Sequence, residues 1–171
     1  MVSVTSPTRA VEDQTSEAKS PGLKMLAVID GTERTGRIID YALGLKSRGH
    51  ELKVVLLGVV PEPATGRLRG YGTFKQAEVY GGLKDTMRQR AVTAVARRLD
   101  QERIDHADRV EIGDPAVTIL RVAREEGVDL ILLSDGPPGL VQRMLPAIGL
   151  SVATVAIQVV QLATVPVVVV K

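Results

Sequence analysis

Apolar and polar positions alternate along this chain on two length scales: short, mainly apolar runs, and longer stretches in which apolar residues recur every three or four places. The runs are Leu23 to Ile29, Leu52 to Val60, Val128 to Leu133 and Pro166 to Val170, and a short, more polar stretch from Ala107 to Ile112 also reads as a strand. Runs of this length that do not alternate read as strands buried on both faces, as in a parallel sheet. Between them, Ile38, Ile39, Ala42, Leu43 and Leu45 fall at helical spacing, as do Leu83, Met87, Ala91, Val95 and Leu99, and then Ala116, Ile119, Leu120 and Ala123. Strand and helix in repetition predict an α/β fold, a five-stranded, mostly parallel sheet with helices on both faces.

Turn residues punctuate this pattern. Asp30-Gly31-Thr32-Glu33-Arg34-Thr35 makes a polar turn with a helix N-cap at Thr32 or Thr35, and Gly49 closes the helix that follows. Gly113-Asp114-Pro115 opens the next but one, with proline at its first turn. Residues 61 to 82 hold five Gly and two Pro without a sustained period, and read as a long surface connection. A long amphipathic helix is expected from Leu83 to Ile104. Its Arg88, Arg90, Arg97, Arg98 and Arg103 are accompanied by Asp85, Asp100 and Glu102, so they read as a solvated face.

Ends and composition narrow the picture. Residues 1 to 22 are rich in Ser, Thr, Glu, Lys and Pro and read as a disordered tail, leaving 23 to 171 as one domain. The net charge is +2 with both signs interleaved, which argues against nucleic acid as a partner. Without cysteine there is neither a disulfide nor a thiolate metal site, and a cytoplasmic setting is expected. His50 and His106 read as exposed linker residues. From Met144 to Val170 no charge occurs, and Ser151 to Leu162 is apolar on nearly every side when wound as a helix. Pro146, Gly149 and Pro166 interrupt it, so membrane insertion is not expected; burial in a subunit interface or against a protein partner is.

Ligands of parallel sheets sit beyond the carboxyl ends of the strands, which directs attention to Asp30 to Thr32 and to the Ser134 to Gly139 turn. No Gly-x-Ser-x-Gly, Gly-x4-Gly-Lys-Ser/Thr or His-Glu-x2-His is present, so no general base or nucleophile stands out. Pro137 and Pro138 offer no N–H to a phosphate, and Asp135 would need Mg²⁺ beside one. The turn has two readings, a stiff connection and a phosphate cradle. Asp30 has two as well, a capping side chain and a ligand contact.

The chain resembles the universal stress proteins. The resemblance rests on Val28-Ile29-Asp30-Gly31-Thr32, Leu56-Leu57-Gly58-Val59-Val60, Gly113-Asp114-Pro115 with Ile119, Gly127-Val128-Asp129-Leu130-Ile131 and Val165-Pro166-Val167-Val168-Val169, in that order. It implies a Rossmann-like fold, a homodimer paired through the last strand and its helix, and in many members bound ATP. Nucleotide binders of the family carry Gly-x2-Gly-x9-Gly-Ser/Thr after the fourth strand. Gly136, Gly139 and Gly149 match it, whereas Leu150 stands in the hydroxyl position and Ser151 follows one residue late. The match also needs a two-residue insertion after the strand. By this resemblance, Asp30 sits by the phosphates of ATP or their Mg²⁺, Gly31 and Thr32 line the same loop, Val59 meets adenine through its backbone, and Gly136, Gly139, Gly149 and Ser151 hold the phosphates. The function expected is regulatory binding in a stress response. The alternatives are a nucleotide-free module docking on a larger complex through its apolar C-terminal helix, and a slow ATP-hydrolysing enzyme.

Overall fold

A computed structural model describes residues 22–61, 73–134 and 155–171, with side chains for all of these except 73–76. The five strands are β1 (Leu23–Ile29), β2 (Leu52–Val60), β3 (Asp105–Ile112), β4 (Leu130–Ser134) and β5 (Val167–Val170). They form one sheet in the order β3-β2-β1-β4-β5, and every neighbouring pair is parallel. The expected sheet is therefore present, and parallel throughout. The disordered tail read into residues 1 to 22 lies outside the described residues except for Gly22.

Successive residues of a strand point to opposite faces, and this sheet is apolar on both. Met25, Ala27 and Ile29 of β1 pack with Ile38, Ile39 and Ala42 of helix α1 (Glu33–Ser47) and with Ala91, Val92, Val95 and Leu99. Leu26 faces the other way, with Val55 and Leu57, onto Ile119, Val122 and Ala123 of helix α4 (Pro115–Glu126) and onto Ala156 and Val159 of helix α5 (Val155–Leu162). Helices thus cover both faces of a wholly aliphatic core.

The second helical region departs from the pattern read above in two ways. Helix α2 (Thr73–Met87) begins ten residues before Leu83, inside the stretch read as a connection. Ala77, Glu78 and Val79 on it are exposed, so no buried face imposed a period on the sequence there. It then passes through a π-helical turn (Arg88–Val92) into helix α3 (Thr93–Gln101). The apolar positions 83, 87, 91, 95 and 99 recur every four residues, whereas an α-helix turns in about 3.6, so the stripe would drift around the helix. A wider turn between Met87 and Val95 takes up that drift, which is how Ala91, Val95 and Leu99 all reach the core.

Helix α4 shows its capping in full. Asp114 accepts a hydrogen bond from the Val117 N–H at 3.0 Å, Pro115 takes the first turn, and Gly127 closes the helix in the left-handed conformation with φ 58°. His106 is not a linker residue: it lies in β3 opposite Val54, its side chain 16 % exposed, with Nδ1 3.2 Å from the Ile104 carbonyl. The arginines on the helical region do face solvent, yet their partners come from other elements: Arg98 with Asp40 at 2.6 Å and Arg88 with Asp108 at 3.1 Å.

Candidate functional site

In the order β3-β2-β1-β4-β5 the chain crosses from one side of β1 to the other between β3 and β4. The crevice at the carboxyl ends of β1 and β4 is the topological switch point, where ligands of open parallel sheets bind. Asp30 is the first residue beyond β1.

Its carboxylate shapes the turn into α1. Oδ1 accepts three hydrogen bonds, from the Thr32 N–H at 2.9 Å, the Thr32 hydroxyl at 2.6 Å and the Thr35 hydroxyl at 3.0 Å. The Thr35 oxygen in turn accepts from the N–H groups of Asp30 and Gly31, both at 3.2 Å, so its one donor and two lone pairs are all in use. Burial by itself would raise the Asp30 carboxyl; the Thr32 hydroxyl and N–H, the Thr35 hydroxyl and the Arg34 guanidinium outweigh it and hold the group below the usual carboxylate range. The residue is ionised at neutral pH. The capping role is therefore present, with Thr32 as N-cap of α1.

Arg34 stands in the first turn of α1. Its Nη2 lies 3.5 Å from Asp30 Oδ2, the outer limit of a hydrogen bond. Its Nε is buried and meets no acceptor among the described residues. Neither this residue nor the triple use of Thr35 emerged from the sequence reading. The available signal was an arginine four residues after a strand-ending Asp, one helical turn away.

Val59 comes into the same neighbourhood. Ile29 pairs with Gly58, so Asp30, just beyond β1, comes beside Val59 near the end of β2. Two glycines let the helical region close over these strand ends. A Cβ on Gly58 would lie 3.0 Å from Met87 Cγ, and one on Gly31, whose φ is +73°, would lie 3.3 Å from Ala91 Cβ. The π-helical turn thus roofs the ends of β1 and β2. Asp30, Gly31, Thr32 and Val59 are brought together, while Gly136, Gly139, Gly149 and Ser151 lie outside the described residues.

The Asp30 loop fits a magnesium ion poorly. One oxygen already takes three hydrogen bonds and the other faces a guanidinium, whereas Mg²⁺ needs oxygen ligands without a competing cation. Among the described residues no group of three or more His, Asp or Glu stands where it could hold a metal ion. An anion fits better, because a buried N–H donor calls for an acceptor.

At the opposite end of the sheet a cavity of about 210 Å³ lies between α4 and the end of α5, lined by Leu120, Ala123, Val128, Ile131, Leu162 and Val165 among others. It is mainly apolar, with Arg124 and Thr164 also in its lining, and has no part in the Asp30 loop. Ile157, Val160 and Leu162 of α5 are exposed, at 48 %, 51 % and 65 %. The described helix, Val155–Leu162, is apolar apart from Gln158 and Gln161, and only Ala156 and Val159 of it are buried; Ser151 to Thr154 lie outside the described residues. Among the described residues no helix is long and apolar enough to cross a membrane.

A five-stranded parallel sheet with a polar, capped loop at its switch point defines a Rossmann-like α/β protein. Residues 23–171 match the model of the universal stress protein family, and the chain belongs to that family. Solved structures with the same fold include a universal stress protein family member from Burkholderia pseudomallei, 21 % identical with a TM-score of 0.59, covering 86 % of this chain and 94 % of that one. A universal stress protein in complex with cAMP is 18 % identical with a TM-score of 0.53, over 87 % of this chain and 96 % of that one. The universal stress protein from Archaeoglobus fulgidus in complex with dAMP is 16 % identical with a TM-score of 0.50, over 87 % of this chain and 98 % of that one. No curated protein matches the sequence.

Proposed function

We propose that this universal stress protein is a cytoplasmic regulatory protein that binds an adenine nucleotide at the carboxyl ends of its central strands and acts by occupancy rather than turnover. The observation that carries this reading is the Asp30–Thr35 loop, hydrogen-bonded into shape at the switch point with a buried cationic donor that meets no acceptor among the described residues. Two proteins of the same fold hold cAMP and dAMP, each an adenine carrying a single phosphate. In this reading the Val59 backbone meets adenine, Gly31 and Thr32 line the ribose and phosphate, and Gly136, Gly139, Gly149 and Ser151 close over the phosphates. ATP is a ligand to be tested beside the monophosphates; Mg²⁺ has no part at Asp30.

Pairing of two copies through β5 and α5 belongs to the same proposal. The β3 edge carries Asp105, Asp108, Arg109 and Glu111, charges that discourage strand addition, whereas β5 is four half-buried valines. Val160→Glu on the exposed side of α5 should halve the mass seen by light scattering with an unchanged circular dichroism spectrum. A wild-type protein that is already monomeric, or a variant that stays dimeric, removes this interface.

The exposed Ile157, Val160 and Leu162 also favour a second reading, a nucleotide-free module whose apolar α5 docks on a larger protein complex. Native mass spectrometry of the purified protein with AMP and ATP, with and without Mg²⁺, separates the two. One nucleotide per chain supports the first; an empty protein at millimolar nucleotide supports the second.

A further inference from the structure

We infer that Arg34 is the charged side chain of this nucleotide site that meets phosphate, and that Asp30 holds the loop in shape instead of touching the ligand or a metal. The inference rests on the nucleotide reading above and names the chemistry of that site.

The two side chains divide the work by the bonds they have already made. Asp30 Oδ1 is taken up by Thr32 and Thr35, and those bonds fix the backbone from β1 into α1. Arg34 is under-used by comparison with the other partly buried arginine. Arg109, its side chain 27 % exposed, meets Glu111 at 2.9 Å, Glu125 at 3.0 Å and Glu126 at 3.1 Å. Arg34, 25 % exposed, has one 3.5 Å contact to Asp30 and a buried Nε with no acceptor among the described residues. Charge-assisted N–H···O bonds are normally about 2.7–2.9 Å long, so this guanidinium is held near Asp30 without being satisfied by it.

A guanidinium presents its donors as a flat fork that matches two phosphate oxygens. At this end of β1 such an acceptor would satisfy the donors of Arg34, and the cation would shield the phosphate from the Asp30 charge. Shielding by a resident arginine makes Mg²⁺ unnecessary. The ligand class is then an adenine nucleotide bound through its phosphate without metal, with AMP as the simplest probe.

The test is isothermal titration of AMP and adenosine into wild type, Arg34→Gln and Arg34→Lys, each with Mg²⁺ and with EDTA. Wild type should bind AMP more tightly than adenosine by roughly tenfold or more, equally in both buffers. Arg34→Gln should close that gap by weakening AMP while leaving adenosine unchanged, and Arg34→Lys, which keeps the charge without the fork, should fall between. A gap that survives in Arg34→Gln overturns the inference, as does AMP binding that requires Mg²⁺. An equal loss of AMP and adenosine makes Arg34 merely structural and also overturns it. If wild type binds neither compound, the nucleotide reading fails and the inference with it; if it binds both alike, only the inference fails.

Discussion

Thr35→Val tests how the Asp30 loop is held. Thr35 is 5 % exposed, and valine fills nearly the same space, so the substitution removes a hydroxyl without opening a cavity. Three hydrogen bonds go with it: one donated to the Asp30 carboxylate and two accepted from the N–H groups of Asp30 and Gly31. A neutral hydrogen bond contributes about 1 kcal/mol net, and one to a charged group about 1.5–3 kcal/mol. Asp30 is 44 % exposed, so water takes over part of what is lost. The expected cost is about 2–3 kcal/mol. Urea unfolding followed by circular dichroism reads it, since the chain has no Trp, and the midpoint should fall at constant m-value. The Asp30 carboxyl is depressed in the folded state. Its share of the difference is therefore complete above the unfolded pKa, near 3.8, and disappears as the pH drops through the lower folded value. A loss below about 0.5 kcal/mol, the level of an ordinary surface change, refutes the reasoning.

Two further substitutions probe the frame around the site. Gly127→Ala places a side chain in the left-handed cap of α4, where φ is 58° and nothing crowds the Cβ, so conformation alone should cost about 1 kcal/mol in the same unfolding assay. Arg109→Met breaks contacts to Glu111, Glu125 and Glu126 on a partly exposed edge, and should cost about 1 kcal/mol at low salt and distinctly less at 1 M NaCl. Lys24, then Arg109, lowers the Glu126 carboxyl, so the Arg109 contribution should be complete above pH 4.5 and fade below it.

Strands β1, β2, β4 and β5 were legible because each is mainly a run of apolar residues in a sheet that buries both of its faces; Leu26 and Ala27, turned to opposite sides, are both fully buried, whereas the edge strand β3 carries Asp105, Asp108, Arg109 and Glu111. Helix α4 was legible from Gly113-Asp114-Pro115 and Gly127, whose capping chemistry is local. Helix α2 was not, because Gly81 and Gly82 lie within it and its first turns expose what side chains are described, so neither propensity nor periodicity marks it. His106 was misread because it lies between two acidic residues at the start of an edge strand, where a polar sequence looks like a linker. At the site, Asp30 was found because it ends a strand. Arg34 escaped notice because an arginine in a polar turn is usually solvated, and only its burial marks it out. The glycines Gly136, Gly139 and Gly149 lie outside the described residues, so that half of the motif keeps its two readings.

The most direct test of the central claim is a ¹H–¹⁵N correlation spectrum of the labelled protein titrated with AMP. The amides of Asp30, Gly31, Thr32, Arg34 and Val59 should shift together and saturate, with those of Ala123 and Gly127 at the far end of the sheet unmoved. Saturable shifts confined to the α4 and α5 cavity, or no shifts at millimolar AMP, would contradict a nucleotide site at the ends of β1 and β2.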